Sequence, residues 1–494
     1  MKKRDLMKKK KKQAPMEPPD GLGVTHKKSK RVRSRQTARG ALPVKNNITQ
    51  KALTKFSQNF NKKHTNKVFK NINTKVHFKK LVLKSDYMQN KKRTFKNYIN
   101  VDSIMTNQES SGRCWLFACL NVMRLPMIKK YKLKNNFEFS QNYLFFYDKL
   151  ENANYFLNFI IKNKTTKLSD MKLIHLLDTL TNDGGQWHIF VNLIEKYGIV
   201  PKTNMDDHFH SKDSHELNQF YNNFLRKAAN RLRSNKAHSS SKLVEELLEE
   251  CYKILVIFLG EPPKKINWEY YQINKKSGKN KYKSVTDITP LDFYKKIVPY
   301  DACDKISLIN YPCSHVPFYK IYNVDLTFNV LNAPKQQLVN VPIDLMVDAV
   351  KKSIDAKEAV YVGADFNQFI SNNEGFMDQN GFNYNDIFGF DNIMDKCDSL
   401  NYRQSAPNHA IIIRGYNFEK NGKTNGFLVE NSWGDGGTDY QFKGNYYMSL
   451  EWFKQFVYVV VVDKKHVTKR TADVLKKSPI TLPYWSPFGN VLIN

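Results

Sequence analysis

Cysteine is scarce in this chain, six in 494 residues, and no two stand in a CxxC pair. That excludes a disulfide-dense secreted scaffold, so Cys114, Cys119, Cys251, Cys303, Cys313 and Cys397 are all expected to be reduced thiols. Long apolar runs are missing too. The most apolar stretch, ILVIFLG at 254–260, is too short to cross a bilayer, so no membrane span is expected. No apolar h-region stands at the N-terminus, so no secretory leader is expected. No GxxxxGK[ST] loop is present to cradle a nucleotide phosphate, and no internal repeat is visible. Acidic side chains are nearly absent from residues 1–80. There, 25 Lys and Arg face only Asp5, Glu17 and Asp20, which places +22 of the formal +33 in the first 80 positions.

Basicity is therefore mostly a property of the N-terminal segment. It contains KKKKK at 8–12 and KKSKRVRSR at 27–35 with few large apolar residues. Such a segment buries too little surface to offset its ordering entropy, and residues 1–80 are expected to be a disordered basic extension. A block of like charge attracts polyanions, so non-specific nucleic-acid binding is one expectation for it, and a solubilising arm is the other. The expected location is cytoplasmic, with a nuclear fraction from the basic tail.

From about residue 84 the pattern becomes that of a folded chain. Leu116, Leu120, Met123 and Met127 form a helical stripe over 115–128, which Pro126 is expected to kink or end. FEFSQNYLFFYDKL at 137–150 predicts a second helix with Ser140 as its N-cap. DGGQWHIFVNLIEKYGIVPK at 183–202 reads as a glycine loop, a helix and a stop. Leu217, Phe220, Phe224 and Ala228, then LVEELLEECYKILVIFLG at 243–260, predict a helical middle. Strands are predicted at 359–365, 409–416, 426–431 and 456–463. Helices first and strands later describe an α+β protein of two segregated layers. The expected organisation is the 1–80 extension, a helical half at 81–205, a mainly helical insertion at 206–335, a β half at 336–463 and a C-terminal arm at 464–494.

Cysteine chemistry needs a thiolate, a base and a group that orients the base. Cys114 sits where the first helix begins, and a helix N-terminus favours the anion. His409 opens a strongly predicted strand in PNHAIIIRGY, and Asn431 ends the next strand in LVENSWGDGG. Adjacent antiparallel strands would bring them together. Asn431 is expected to accept the Nδ1–H of the ring and leave Nε2 facing the sulfur, with Trp433 shielding that bond from water. The backbone N–H of Cys114 and the side-chain amide of Gln108 are candidate oxyanion donors. DDHFHSKDSH at 206–215 brings His208, His210 and His215 near acids, but the i, i+2 spacing does not suit one helical face. No metal and no cofactor is expected.

Gln108 six residues before the Cys-Trp pair, the later His-Ala strand and the Asn-Ser-Trp-Gly turn resemble papain-like cysteine proteases. NQESSGRCWLFACLNVMRLP, FEFSQNYLFFYDKLE, DGGQWHIFVNLIEKYGIVPK, VENSWGD and LPYWSPFG resemble the bleomycin hydrolase and aminopeptidase C branch. The resemblance runs from about 95 to the C-terminus. It implies a papain-like fold with Cys114 as nucleophile, His409 as base then acid, Asn431 as orienter and Gln108 as oxyanion donor. It also implies that Gly184 and Gly185 offer backbone to an extended substrate. The branch is a homohexameric cytosolic aminopeptidase whose C-terminal arm lies in the cleft, so peptides with a free N-terminus and a hexamer are implied. The terminal carboxylate, here on Asn494, would hold the substrate amine. The arm LPYWSPFGNVLIN matches through Gly489 and then departs, so either the enzyme trims it or the carboxylate sits elsewhere. An open cleft would give an endopeptidase or dipeptidase instead. A nucleic-acid-binding protein with secondary peptidase activity is the reading of another class.

Overall fold

The computed structural model describes residues 47–90, 94–235, 240–274, 278–327, 329–435 and 444–489. It divides into two units, Met1–Lys67 and Val68–Asn494. The first contributes the helix Gln50–Lys62, capped by the Thr49 hydroxyl, and the start of the helix His64–Asn73. The expected disorder of 1–80 is thus corrected over 50–73, where good helix formers at regular apolar spacing outweigh the charge. Residues 1–46 lie outside the described ones.

The second unit has a helical layer and a sheet. Its central helix, Cys114–Tyr131, is buried along nearly its whole length, from Cys114 to Ile128 with Pro126 half-buried. Pro126 does not stop it. The proline forfeits one backbone hydrogen bond, but Leu125 and Met127 are buried on either side and the helix continues to Tyr131. Lys132, at φ 51°, ends it in a left-handed cap whose N–H bonds the Ile128 carbonyl. The helix Gln141–Lys162 begins at the Ser140 cap, whose Oγ accepts the Tyr143 N–H at 3.0 Å. The helices Trp187–Tyr197, His215–Ser234 and Ser240–Leu259 complete this layer.

Among the described residues the main sheet has twelve strands. Its centre runs Lys305–Ile309, Val457–Asp463, Val360–Ala364, His409–Phe418, Thr424–Glu430 and Asn445–Ser449. Within this run each strand is antiparallel to the next, and near-continuous apolar stretches such as HAIIIRGY fit a sheet buried on both faces. The expected helical character of 206–335 runs to Leu259 and returns only as the short helical turns Pro290–Asp292 and Phe293–Ile297. An exposed hairpin, Ile266–Ile273 with Asn280–Ile288, follows, and Lys305–Ile309 and Ile321–Val324 join the main sheet. Lysine-rich segments such as NKYKSVTDI hide the alternation that would mark them as strands.

One cysteine expectation is overturned. Cys313 and Cys397, 84 positions apart, form a disulfide. Cys313 lies in the loop after one strand and Cys397 on the helix Lys396–Asn401, so only the tertiary fold brings them together. The other four cysteines are free.

Candidate active site

Strand register places the two polar residues. His409 pairs with Ala364 on one side, and Ile412 pairs with Glu430 on the other. Extending that register by one sets Asn431 across from Ile411, on the same sheet face as His409 and diagonal to it. The contact forms: His409 Nε2 lies 2.8 Å from Asn431 Oδ1. The same oxygen accepts the Ser432 backbone N–H at 2.8 Å, which fixes the amide with its oxygen toward the ring. An oxygen can only accept here, so Nε2 carries the proton and Nδ1 holds the lone pair. Nδ1 is buried without a hydrogen-bond partner. The ring is therefore turned opposite to the expectation from sequence, with Nε2 rather than Nδ1 on the asparagine. Which nitrogen faces which neighbour depends on side-chain rotation, which spacing along the chain does not encode.

Trp433 and Phe366 both lie tilted against the imidazole, at 4.9 and 4.8 Å between ring centroids. Phe366 also meets Trp433 edge-on at 5.2 Å, so the three rings form one cluster.

Cys114 is the first residue of its helix and is fully buried. Arg113 caps it without a side-chain cap bond. Its guanidinium instead turns away, donating to Ser111 Oγ at 2.9 Å and Asp207 at 2.6 Å. Burial pushes the Cys114 thiol up to about 11, and the charge of Asp183 adds to this. The amides of Ala410, Trp115 and Cys114 itself pull the other way by hydrogen bonding to the sulfur. The Ala410 amide is the next peptide after His409, so the sulfur sits against the strand that carries the imidazole. Burial likewise lowers His409 to about 4, opposed by the Asn431 bond. A lone charge on either group is thus disfavoured.

Gln108 is clamped in place. Its Nε2 donates to the Ser111 carbonyl at 2.6 Å, its Oε1 accepts from Ser432 Oγ at 2.8 Å, and its backbone N–H bonds the Ser432 carbonyl at 2.8 Å. One N–H of the amide remains unassigned, which is what an oxyanion donor requires.

Gly184 and Gly185 follow Asp183, and Gly185 packs on Trp115, the residue after Cys114. A Cβ on Gly185 would lie 2.3 Å from the Trp115 ring, so close backbone approach requires glycine there. Gly184 and Gly489 line one pocket, and Gln186, Tyr361, Pro407 and Phe488 line another. The C-terminal segment thus reaches the glycine loop: Gln186 Nε2 donates to the Phe488 carbonyl at 3.2 Å, and Tyr311 stacks on Phe488 at 5.3 Å. Asn494 lies outside the described residues. The three histidines near 210 stand apart from one another's chemistry. His208 packs under Gly260, and His210 meets Phe258 edge-on and lies 3.8 Å from Glu216.

Sequence reading missed Lys149, Asp183, Ser432 and Phe366. Asp183 immediately before two glycines was the available signal. Lys149 had none beyond its place on a buried helical face.

The sequence model of the Peptidase C1-like family matches residues 47–489. The chain belongs to the Peptidase C1-like family. Bleomycin hydrolase of Rattus norvegicus is 39% identical over 399 residues, covering 78% of this chain and 86% of that protein. Aminopeptidase C of Listeria monocytogenes is 39% identical over 403 residues, covering 81% and 88%. A crystal structure of PepW from Lactobacillus rhamnosis HN001 superposes with a TM-score of 0.85 at 34% identity, covering 90% of this chain and 99% of the other. The chain is a papain-like cysteine peptidase. Among the described residues no helix of this peptidase is long and apolar enough to cross a membrane.

Proposed function

We propose that this peptidase is an aminopeptidase that uses Cys114, His409 and Asn431. The single observation that carries the catalytic assignment is the 2.8 Å contact from His409 Nε2 to Asn431, which leaves Nδ1 as the free base. The Cys114 proton passes to Nδ1, and the thiolate attacks the peptide carbonyl carbon. The oxyanion is held by the Cys114 N–H and the free N–H of Gln108. As the tetrahedral species collapses, the imidazolium gives its proton to the leaving amine. His409 then takes a proton from water, the hydroxide attacks the thioester, and Cys114 leaves with the proton restored.

The aminopeptidase register is supported by the course of the C-terminal segment, which runs through Phe488 and Gly489 to the glycine loop. An arm filling one side of the cleft leaves room for one residue before the cleaved bond, and a carboxylate at its end would hold the free amine. The reading brings with it cytoplasmic placement, a hexamer and weak polyanion binding through residues 1–80. The test compares an aminoacyl fluorogenic amide with its N-blocked counterpart, on the full chain and on one lacking residues 490–494. Preference for the free amine that is lost on truncation supports the reading. Preference for blocked substrates on the full chain refutes it in favour of an endopeptidase.

A further inference from the structure

Asp183 touches both sides of the nucleophile. One carboxylate oxygen accepts the backbone N–H of Gly112, two residues before Cys114, at 3.1 Å. Its backbone carbonyl accepts the indole N–H of Trp115, the residue after Cys114, at 2.7 Å. The fit at Gly112 is tight, since a Cβ there would lie 2.6 Å from Asp183 Cβ. The carboxylate is also held from the helical segment that follows residue 206. Ser214 donates to one oxygen, and Asn218 to the other at 2.8 Å. Lys149, fully buried, bonds that second oxygen at 2.8 Å and also reaches the carbonyls of Thr181 and Asn182 and the Asn218 amide oxygen. The pairing keeps Asp183 ionised, well below the ordinary carboxylate range despite its burial.

We propose that Asp183 is a positioning residue for Cys114. It locks the nucleophile turn and the Gly184–Gly185 edge onto the helical insertion, while Lys149 balances its charge beside the sulfur. The inserted helices are then a frame for the reacting thiol and not a spacer between the two halves of the enzyme. The inference rests on Cys114 being the nucleophile.

The charges facing this spot are few. Lys149 and Asp148 come from the Gln141–Lys162 helix, the Arg113–Asp207 pair lies beyond Gly112, and His409 precedes Ala410, whose backbone amide bonds the sulfur from the sheet. Ser214 and Asn218 are uncharged. Removing the anion while leaving Lys149 therefore favours the thiolate, so its formation shifts to lower pH.

The experiment measures the rate of iodoacetamide alkylation at Cys114 against pH, with kcat and KM on an aminoacyl amide, for Asp183→Asn, Asp183→Ala and Ser214→Ala. Asp183→Asn should lower the midpoint of the alkylation profile by about 1 pH unit. Asp183→Ala should lower kcat/KM by about 100-fold, as a small displacement of a reacting group does. The isosteric Asn, which still offers an acceptor, should recover about tenfold of that. Ser214→Ala should reduce kcat/KM several-fold with an unchanged alkylation midpoint. An unshifted midpoint in Asp183→Asn together with kcat/KM within threefold of the parent overturns the proposal. If Asp183→Ala does not fold, the Asn and Ser214 variants decide by the same criteria. Activity surviving in Cys114→Ala would instead overturn the nucleophile assignment, a distinct result.

Discussion

Replacing Gln108 by alanine isolates one step of the proposed chemistry. The side chain contacts Ser111 and Ser432 in the resting enzyme, and its free N–H has work only when the carbonyl oxygen gains charge. One oxyanion donor in a preorganised site contributes about 3 to 4 kcal/mol to the transition state, which corresponds to a 100- to 1,000-fold loss in kcat. KM should stay within about threefold, because the uncharged carbonyl draws little from the same donor. The substitution also leaves the Ser111 carbonyl and the Ser432 hydroxyl without their partner, costing about 1 to 3 kcal/mol of stability. Assays must therefore be run well below the melting temperature of the variant. A peptide aldehyde, which forms a hemithioacetal with the thiol, should lose affinity by a comparable factor. If KM rises at unchanged kcat, or aldehyde affinity is unaffected, Gln108 is a structural clamp and not an oxyanion donor.

Asn431→Ala removes the partner that His409 Nε2 has among the described residues and should lower kcat about 100-fold with a smaller change in KM, read by steady-state kinetics. In a Cys114→Ala chain, where no thiolate shares the proton, His409 stays neutral down to about 4 in the fold against 6.5 when free. The unfolded chain takes up the proton first, so stability is intact above pH 6.5 and falls through the window to 4, by about 3 kcal/mol. A further His409→Gln change should flatten that part of the melting curve against pH. Reducing the Cys313–Cys397 bond, which joins positions 84 apart, should lower unfolding stability in urea by about 4 kcal/mol on the chain-entropy account. Alkylation of all six thiols in denaturant without reductant would contradict the bond itself. Gly185→Ala drives a methyl into the Trp115 ring and should cost about 1 to 3 kcal/mol in melting experiments and damage activity further.

Local chemistry was legible in the sequence and long-range geometry was not. Cys114 at a helix start, His409 at a strand start and Asn431 at a strand end each announce themselves through periodicity that changes within a few residues. The Ser140 cap and the apolar strands were readable for the same reason. Pro126 misled because propensity is local while the packing of Leu125 and Met127 is not. The helices at 50–73 were masked by charge, and the Asn280–Ile288 strand by lysines on an exposed edge. Lys149, Asp183 and Ser214 lie on separate segments, and nothing along the chain declares that they share one carboxylate. The same holds for Cys313 and Cys397. The ring orientation of His409 turns on one rotation, set by Ser432 and Asn431 together, and no spacing rule carries it.

The central claim is that the sulfur of Cys114 becomes covalently bonded to the acyl group of the substrate. Rapid quenching during turnover of an activated aminoacyl ester, followed by peptide mapping with mass spectrometry, tests it directly. The account predicts a thioester on Cys114 that forms with the first burst of alcohol release and disappears at the rate of turnover. An adduct on Cys119, Cys251 or Cys303, or full turnover with no adduct in Cys114→Ala, would contradict it.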